Sequence, residues 1–276
     1  MYTKIFHLKD YYSSLGEGDC DPKVTVYVQQ NMDEMGRGDL KRPAVILCPG
    51  GGYRYVSQRE AEPVALMLLT AGMNVFVLDY SVAPHTFPTQ LREVAGAMEL
   101  IYANAQQWHV DTNRILIMGF SAGGHLAGHY SNCYDIPEVR EVFPESKPVN
   151  AAVLCYPVIT ANPQYCHLPS FQRLSGHEAL TREDVEKFSL EKLVSKYTPP
   201  TFLWHTFEDT AVPPMNSILY AQSLAELGRP FSIHIYPKGG HRLSTADEQT
   251  TGPANPVTMH VADWVDSFKK WFQLTM

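Results

Sequence analysis

Short apolar runs rich in β-branched residues alternate along this chain with longer stretches whose apolar positions recur at helical spacing. A brief continuous apolar run suits a strand buried on both faces, and an i, i+3, i+4 recurrence suits a helix with one buried side. Alternating the two predicts a mostly parallel central sheet flanked by helices. Residues 24–28 alternate apolar and polar, as an outer strand does, and 44–48 form an apolar run ending in Pro49-Gly50-Gly51-Gly52. A helix is expected over 60–70, stopped near Gly72, followed by a buried strand at 74–80 and a helix over 90–105. The clearest buried strand is 114–120, which runs into Ser121-Ala122-Gly123-Gly124 and a helix through about Tyr130. Strands at 151–158, 201–206 and 231–236, a helix over 214–227 ending at Gly228, and a terminal amphipathic helix over 257–274 complete the pattern.

One stretch breaks the alternation. Residues 160–199 contain Pro163, Pro169, a polar middle and a charged helical piece at 182–192, between two core strands. They are expected to project from a single domain spanning 1–276, either as a small lid or as surface decoration. On the terminal helix, Trp264, Phe268 and Trp271 suit packing on the sheet or on a second subunit, and periodicity leaves a homo-oligomer open.

Composition narrows the function classes. Lys and Arg total 22 against 29 Asp and Glu, a net charge of -7 with no basic stripe, so no nucleic-acid partner is expected. No run approaches the roughly 18 apolar residues of a membrane span. The first ten residues lack the apolar core of a secretory signal. The five cysteines are scattered without a C-x-x-C, and Cys48 and Cys155 fall in strand-like runs where buried thiols are common. These features together predict a cytoplasmic protein.

The chemistry concentrates at Gly119-Phe120-Ser121-Ala122-Gly123. It matches G-x-S-x-G in a strand-to-helix context, where the sharp turn lifts the serine hydroxyl off the sheet, at the positive end of the following helix. A serine needs a base within hydrogen-bond reach. Among eleven histidines, His241 stands just after the last strand, in a glycine-bearing loop at the C-terminal edge of the sheet. His125 and His129 follow Ser121 on its own helix and cannot fold back over it, while His205 ends a strand and could line the site. An acid should orient the imidazole. Glu208 and Asp209 lie in chain order between Ser121 and His241, and Asp209 is favoured because it heads a turn ending in Pro213, with Asp79 the runner-up. The backbone N–H of Ala122 and those of Gly51 and Gly52 are the expected oxyanion donors. Tyr53, Tyr156 and Trp204 are expected to crowd the acyl site and favour short acyl groups. The glycines match neither phosphate-binding fingerprint, and Leu126 replaces the Glu of H-E-x-x-H between His125 and His129, so neither a cofactor nor a metal is expected.

Together, Cys48-Pro49-Gly50-Gly51-Gly52-Tyr53, Asp79-Tyr80-Ser81-Val82-Ala83-Pro84, Gly119 through Leu126, Glu208 through Pro213 and Gly240-His241 resemble the bacterial esterase/lipase family of α/β-hydrolases. Within it the likeness is to acetyl esterase and acetylxylan esterase-like proteins, over about residues 24–272. The resemblance implies the α/β-hydrolase fold, a Ser121–Asp209–His241 triad, and hydrolysis of small-molecule or oligosaccharide esters, acetylated sugars among them, without a cofactor. Amide cleavage by the same triad, or a non-catalytic binding relative, are the alternatives. Related lipases carry His before the glycines; here Pro49 stands there, so the loop must be supported differently.

Overall fold

The computed structural model describes residues 1–16 and 19–276. Its strands are β1 (Tyr2–His7), β2 (Lys23–Val28), β3 (Arg42–Cys48), β4 (Asn74–Asp79), β5 (Val110–Phe120), β6 (Ala151–Cys155), β7 (Thr201–Thr206) and β8 (Phe231–Tyr236). Its helices are α1 (Glu62–Thr70), α2 (Thr89–Ala103), α3 (Ala122–Cys133), α4 (Pro137–Arg140), α5 (Leu168–Ser175), α6 (Arg182–Phe188), α7 (Leu190–Leu193), α8 (Met215–Glu226), α9 (Glu248–Thr251) and α10 (Pro256–Thr275). The eight strands form one sheet in the order β1-β2-β4-β3-β5-β6-β7-β8. β2 pairs antiparallel with β1 and β4, and the remaining neighbours are parallel. This is the mostly parallel, helix-flanked sheet expected from the pattern, and it agrees with the α/β-hydrolase fold that the resemblance implies.

Alternate side chains of the central strands feed two cores. Ile46, Phe76, Ile117, Leu154 and Leu203 join Leu91, Val94, Leu126 and Tyr220 of α2, α3 and α8. Val45, Val75, Leu116, Val153 and Phe202 join Val64 and Leu68 of α1 and Trp264 and Phe268 of α10. A parallel strand buried on both faces therefore reads as an unbroken apolar run. Trp264 stacks on Trp204 at 5.2 Å between ring centroids, and Phe268 meets Phe202 at 6.0 Å, so the aromatic stripe of α10 packs on the sheet. None of the described helices is long and apolar enough to cross a membrane.

Several elements differ from expectation, among them β6, expected over 151–158, which ends at Cys155 where Tyr156 takes φ 35°. β1 lies outside β2, which is therefore not the outer strand; only Phe6 of β1 is buried, so it carries no alternating signature. The charged piece at 182–192 is two helices broken at Ser189, whose Oγ accepts the Ala161 N–H. Within 160–199, α5 begins at Leu168 with Pro169 in its first turn. Proline fits there because that N–H needs no intrahelical partner.

Candidate active site

Strand β5 delivers Ser121, and the turn is built by what its neighbours lack. A Cβ on Gly119 would sit 2.1 Å from the Gly123 carbonyl oxygen, and one on Gly123 would sit 2.1 Å from that of Cys48. Only glycine lets strand, turn and helix approach this closely. Ser121 itself is held at φ 53°, ψ −119°, a region L-residues rarely occupy. Its N–H donates to the Cys155 carbonyl, and its own carbonyl accepts from His125 and Val158 N–H, which lock the conformation from both sides.

Two side chains from distant loops line up with Ser121 at this turn. His241 Nε2 lies 2.8 Å from Ser121 Oγ, and His241 Nδ1 lies 2.5 Å from Asp209 Oδ2. Asp209 heads the turn after β7, and its Oδ1 accepts the N–H groups of Ala211 and Val212 at 3.0 and 2.9 Å. Burial alone would raise its pKa, but hydrogen bonds from His205, His241 and Val212 N–H, with the charge of His241, hold it well below the usual carboxylate range. His205 does not line the cavity. Its Nε2 faces the Val212 carbonyl and Asp209 Oδ2, and its Nδ1 faces the Ser217 hydroxyl. Two acceptors on one side require the proton on Nε2, so Ser217 donates to Nδ1 and His205 braces the carboxylate from behind. Glu208 turns outward, bonding Lys238 at 2.6 Å and accepting the Gly239 N–H, which steadies the loop before His241. Asp79 ends β4 on the other side of β3, beside β2.

The glycine loop after β3 has a substitute for the missing histidine. Tyr80 Oη donates to the Pro49 carbonyl at 2.7 Å, Arg173 donates to the Gly52 carbonyl at 2.9 Å, and the Gly50 N–H donates to Glu60 Oε2 at 2.7 Å. Glu60 is only 1% exposed, and its Oε1 accepts the Tyr156 hydroxyl at 2.6 Å. Among the described residues, the N–H groups of Gly51, Gly52 and Ala122 have no acceptor. Gly51 sits at φ 131°, where a Cβ would lie 1.8 Å from the Tyr55 carbonyl oxygen, so no other residue could bring its amide here.

Tyr53, Tyr156 and Trp204 are not in the cavity, contrary to the sequence reading. All three are at most 1% exposed. Tyr53 donates its hydroxyl to His125 Nδ1, while His125 Nε2 donates to the Phe188 carbonyl. Tyr156 stands edge-on to the His241 ring at 5.0 Å and accepts the Ser244 N–H. Trp204 lies in the aromatic stack under α10. A bulky aromatic at the end of a buried strand faces the core as readily as the site, and here the core takes all three. His125 and His129 are buried in the protein interior; burial pushes His125 down to about 4 and His129 well below its usual value. Among the described residues no cluster of His, Cys, Asp or Glu could hold a metal ion.

Ser121 and His241 open into a cavity of about 240 Å³. Its walls include Arg54, Tyr55, His167, Pro169, Arg173 and Arg242, none of which was expected at the site from the sequence. Arg54, Tyr55 and Arg242 were traceable as chain neighbours of the glycine loop and of His241. His167, Pro169 and Arg173 come from the 160–199 segment, whose fold carried no local signal. Pro169 and Ala211 are the largest aliphatic side chains in the lining.

Comparison with known proteins follows the same lines. The BD-FAE family matches residues 33–224. The chain is 38% identical over 221 residues to endo-1,4-beta-xylanase B of Butyrivibrio fibrisolvens, covering 76% of this chain and 34% of that protein. It is 31% identical over 205 residues to the acetylxylan esterase of Xylanibacter ruminicola, covering 72% and 40%. The chain thus spans about a third to two-fifths of the length of these curated relatives. Among solved structures, an acetyl ester-xyloside bifunctional hydrolase from Caldicellulosiruptor lactoaceticus superposes with a TM-score of 0.85 at 33% identity, over 98% of this chain and 95% of that one. A carboxylesterase from Lactobacillus plantarum does so with a TM-score of 0.84 at 27% identity, over 99% and 97%. The chain belongs to the BD-FAE family and has the α/β-hydrolase fold.

Proposed function

We propose that this chain hydrolyses short-chain carboxylic esters, acetyl esters of carbohydrates among them, with Ser121 as nucleophile, His241 as base and Asp209 as the orienting acid. The observation that carries the reading is the continuous hydrogen-bonded line Asp209–His241–Ser121 at the mouth of a cavity. In it, His241 Nε2 takes the proton of the Ser121 hydroxyl as Oγ attacks the ester carbonyl. The oxyanion is met by the N–H of Ala122 and of Gly51 and Gly52, each donor worth about 2.7–4 kcal/mol in the barrier. His241 returns the proton to the departing alcohol, then activates water to release the acid and free Ser121.

The carbohydrate part rests on the names borne by the relatives and on Tyr55, an aromatic ring 44% exposed at the cavity wall, suited to lie against a sugar face. The short-acyl part rests on a lining without large aliphatic side chains. The segment 160–199 acts here as a wall that shapes access through His167 and Arg173. A reducing, cytoplasmic setting belongs to the same reading, supported by Cys48 and Cys155 standing as buried free thiols. Acetylated xylo-oligosaccharides and a series from 4-nitrophenyl acetate to octanoate test the proposal together. Release of acetate and a fall in kcat/KM with acyl length are expected; a preference for the octanoate would refute it.

A further inference from the structure

The charges around the cavity run against those of the protein. The chain carries a net charge of -7, yet Arg54, Arg173 and Arg242 line this one space, contributed by the glycine loop, α5 and the loop of His241. Some surface cations meet carboxylates, as Arg92 does Glu141, Lys192 Glu186 and Lys238 Glu208, each at 2.6 Å. Among the described residues only Arg92 and Arg140 of the arginines do so, and what sets Arg54, Arg173 and Arg242 apart is their convergence on one cavity. Among the described residues, none of the three cavity arginines has a carboxylate oxygen within 4.0 Å. Arg173 spends one N–H on the Gly52 carbonyl, which leaves most of its guanidinium free. The one carboxylate in the lining, Glu60, has both oxygens engaged by the Gly50 N–H and the Tyr156 hydroxyl, so it answers none of the arginines. His167 stands on the same wall: burial lowers its pKa first, His241, Arg173 and Arg242 add to the fall, and Asp209 opposes it.

Three guanidinium groups sharing a confined space repel one another, and a fold gains nothing by assembling them from separate segments without a counter-charge. A carboxylate is the group their planar N–H forks match, accepting two parallel hydrogen bonds from one arginine. We infer that the ester this site prefers carries a carboxylate close to the scissile bond, held by Arg54, Arg173 and Arg242. The inference rests on the ester-hydrolase reading and specifies its substrate class: an acyl ester on an acidic sugar such as a uronic acid, or the half-ester of a dicarboxylic acid. Both present the same anion, on opposite sides of the reacting carbonyl.

Two pairs of esters separate these sources and remove other differences. With the anion on the leaving group, 4-acetoxybenzoate is compared with methyl 4-acetoxybenzoate; with the anion on the acyl group, monomethyl succinate is compared with methyl butyrate. Each kcat/KM is divided by the rate of hydroxide hydrolysis of the same ester. In one pair the anionic ester is expected to lead by about tenfold or more at low salt, as a charge-assisted bidentate contact would give. That lead should shrink as sodium chloride rises from about 0.02 to 0.5 M, because screening shortens the reach of partly exposed charges. In Arg54→Gln and Arg242→Gln the same anionic-to-neutral ratio should fall several-fold; being a ratio, it cancels any common loss of rate. Equal rates within both pairs, or a lead for the neutral esters, would overturn the inference while leaving ester hydrolysis standing. Failure to cleave any of the four esters would overturn both.

Discussion

Glu60 is the residue whose replacement most sharply separates positioning of the glycine loop from mere packing. Its two oxygens tie Gly50, one residue before the expected oxyanion donors, to Tyr156, which in turn faces His241 and receives the Ser244 N–H. In Glu60→Gln the side chain keeps nearly the same shape but offers one acceptor in place of two. Either the Gly50 N–H or the Tyr156 hydroxyl is then left facing an amide donor. An unsatisfied buried donor costs about 1–3 kcal/mol. For a chain of this size that is a fall of roughly 2–12 °C in Tm. The kinetic effect has a ceiling in the complete loss of one oxyanion donor, about 10²–10³ in kcat. Two other ties on the loop survive, Tyr80 to Pro49 and Arg173 to Gly52, so a partial displacement is expected, about 10–100-fold in kcat. Because those donors act on the transition state, KM should change little. Steady-state kinetics on 4-nitrophenyl acetate, at a temperature where circular dichroism shows the variant folded, supply the measurement. A lowered Tm with kcat within about twofold of the parent would show Glu60 to be a packing residue with no part in positioning the loop.

Other expectations are simpler. Asp209→Asn should fold, since the Ala211 and Val212 N–H groups still have an oxygen to bond, but lose about 10⁴ in kcat because the amide cannot hold the imidazole in the needed tautomer. Near-normal turnover there would transfer the acid role elsewhere. Glu93 gives a stability test: burial raises its carboxyl from 4.5 to about 7 against the opposing Ser81 hydrogen bonds, with Asp79 adding to the rise. The folded chain therefore binds more protons than the unfolded chain between those values, and stability falls as pH rises through that window. Denaturant melts should show the parent losing roughly 3 kcal/mol relative to Glu93→Gln between about pH 4.5 and pH 8; a pH-independent difference would contradict the burial argument.

Much of this was legible in the sequence for a physical reason. A parallel strand covered on both faces leaves a mostly apolar run, and 201–206 matched β7 to the residue; 231–236 matched the half-exposed edge strand β8 through its alternation. The glycines about Ser121 were legible because a tight turn tolerates no Cβ, and steric need of that kind is written locally. Asp209 could be preferred over Glu208 because a short carboxylate at the head of a turn caps the amides that follow it, as its bonds to Ala211 and Val212 do. What failed was anything set by distant packing. Tyr53, Tyr156 and Trp204 sit beside site residues in the chain, but which way an aromatic faces at a strand end depends on partners such as His125, Glu60 and Trp264. Edge strand β1 buries too little to leave a pattern, and α5 hid behind a proline that marks a helix start. Arg173 and His167 reach the cavity only through that segment, so their part of the wall is a tertiary feature without a sequence signature.

On the proposed mechanism, the hydroxyl of Ser121 is the group that this arrangement makes reactive. Treating the folded chain with a fluorophosphonate and mapping the adduct by peptide mass spectrometry tests it directly. A single stoichiometric adduct on Ser121, formed in step with loss of esterase activity and slowed by orders of magnitude in His241→Ala, is the predicted result. Hydrolysis that persists in Ser121→Ala, or an adduct on another residue with Ser121 untouched, would contradict it.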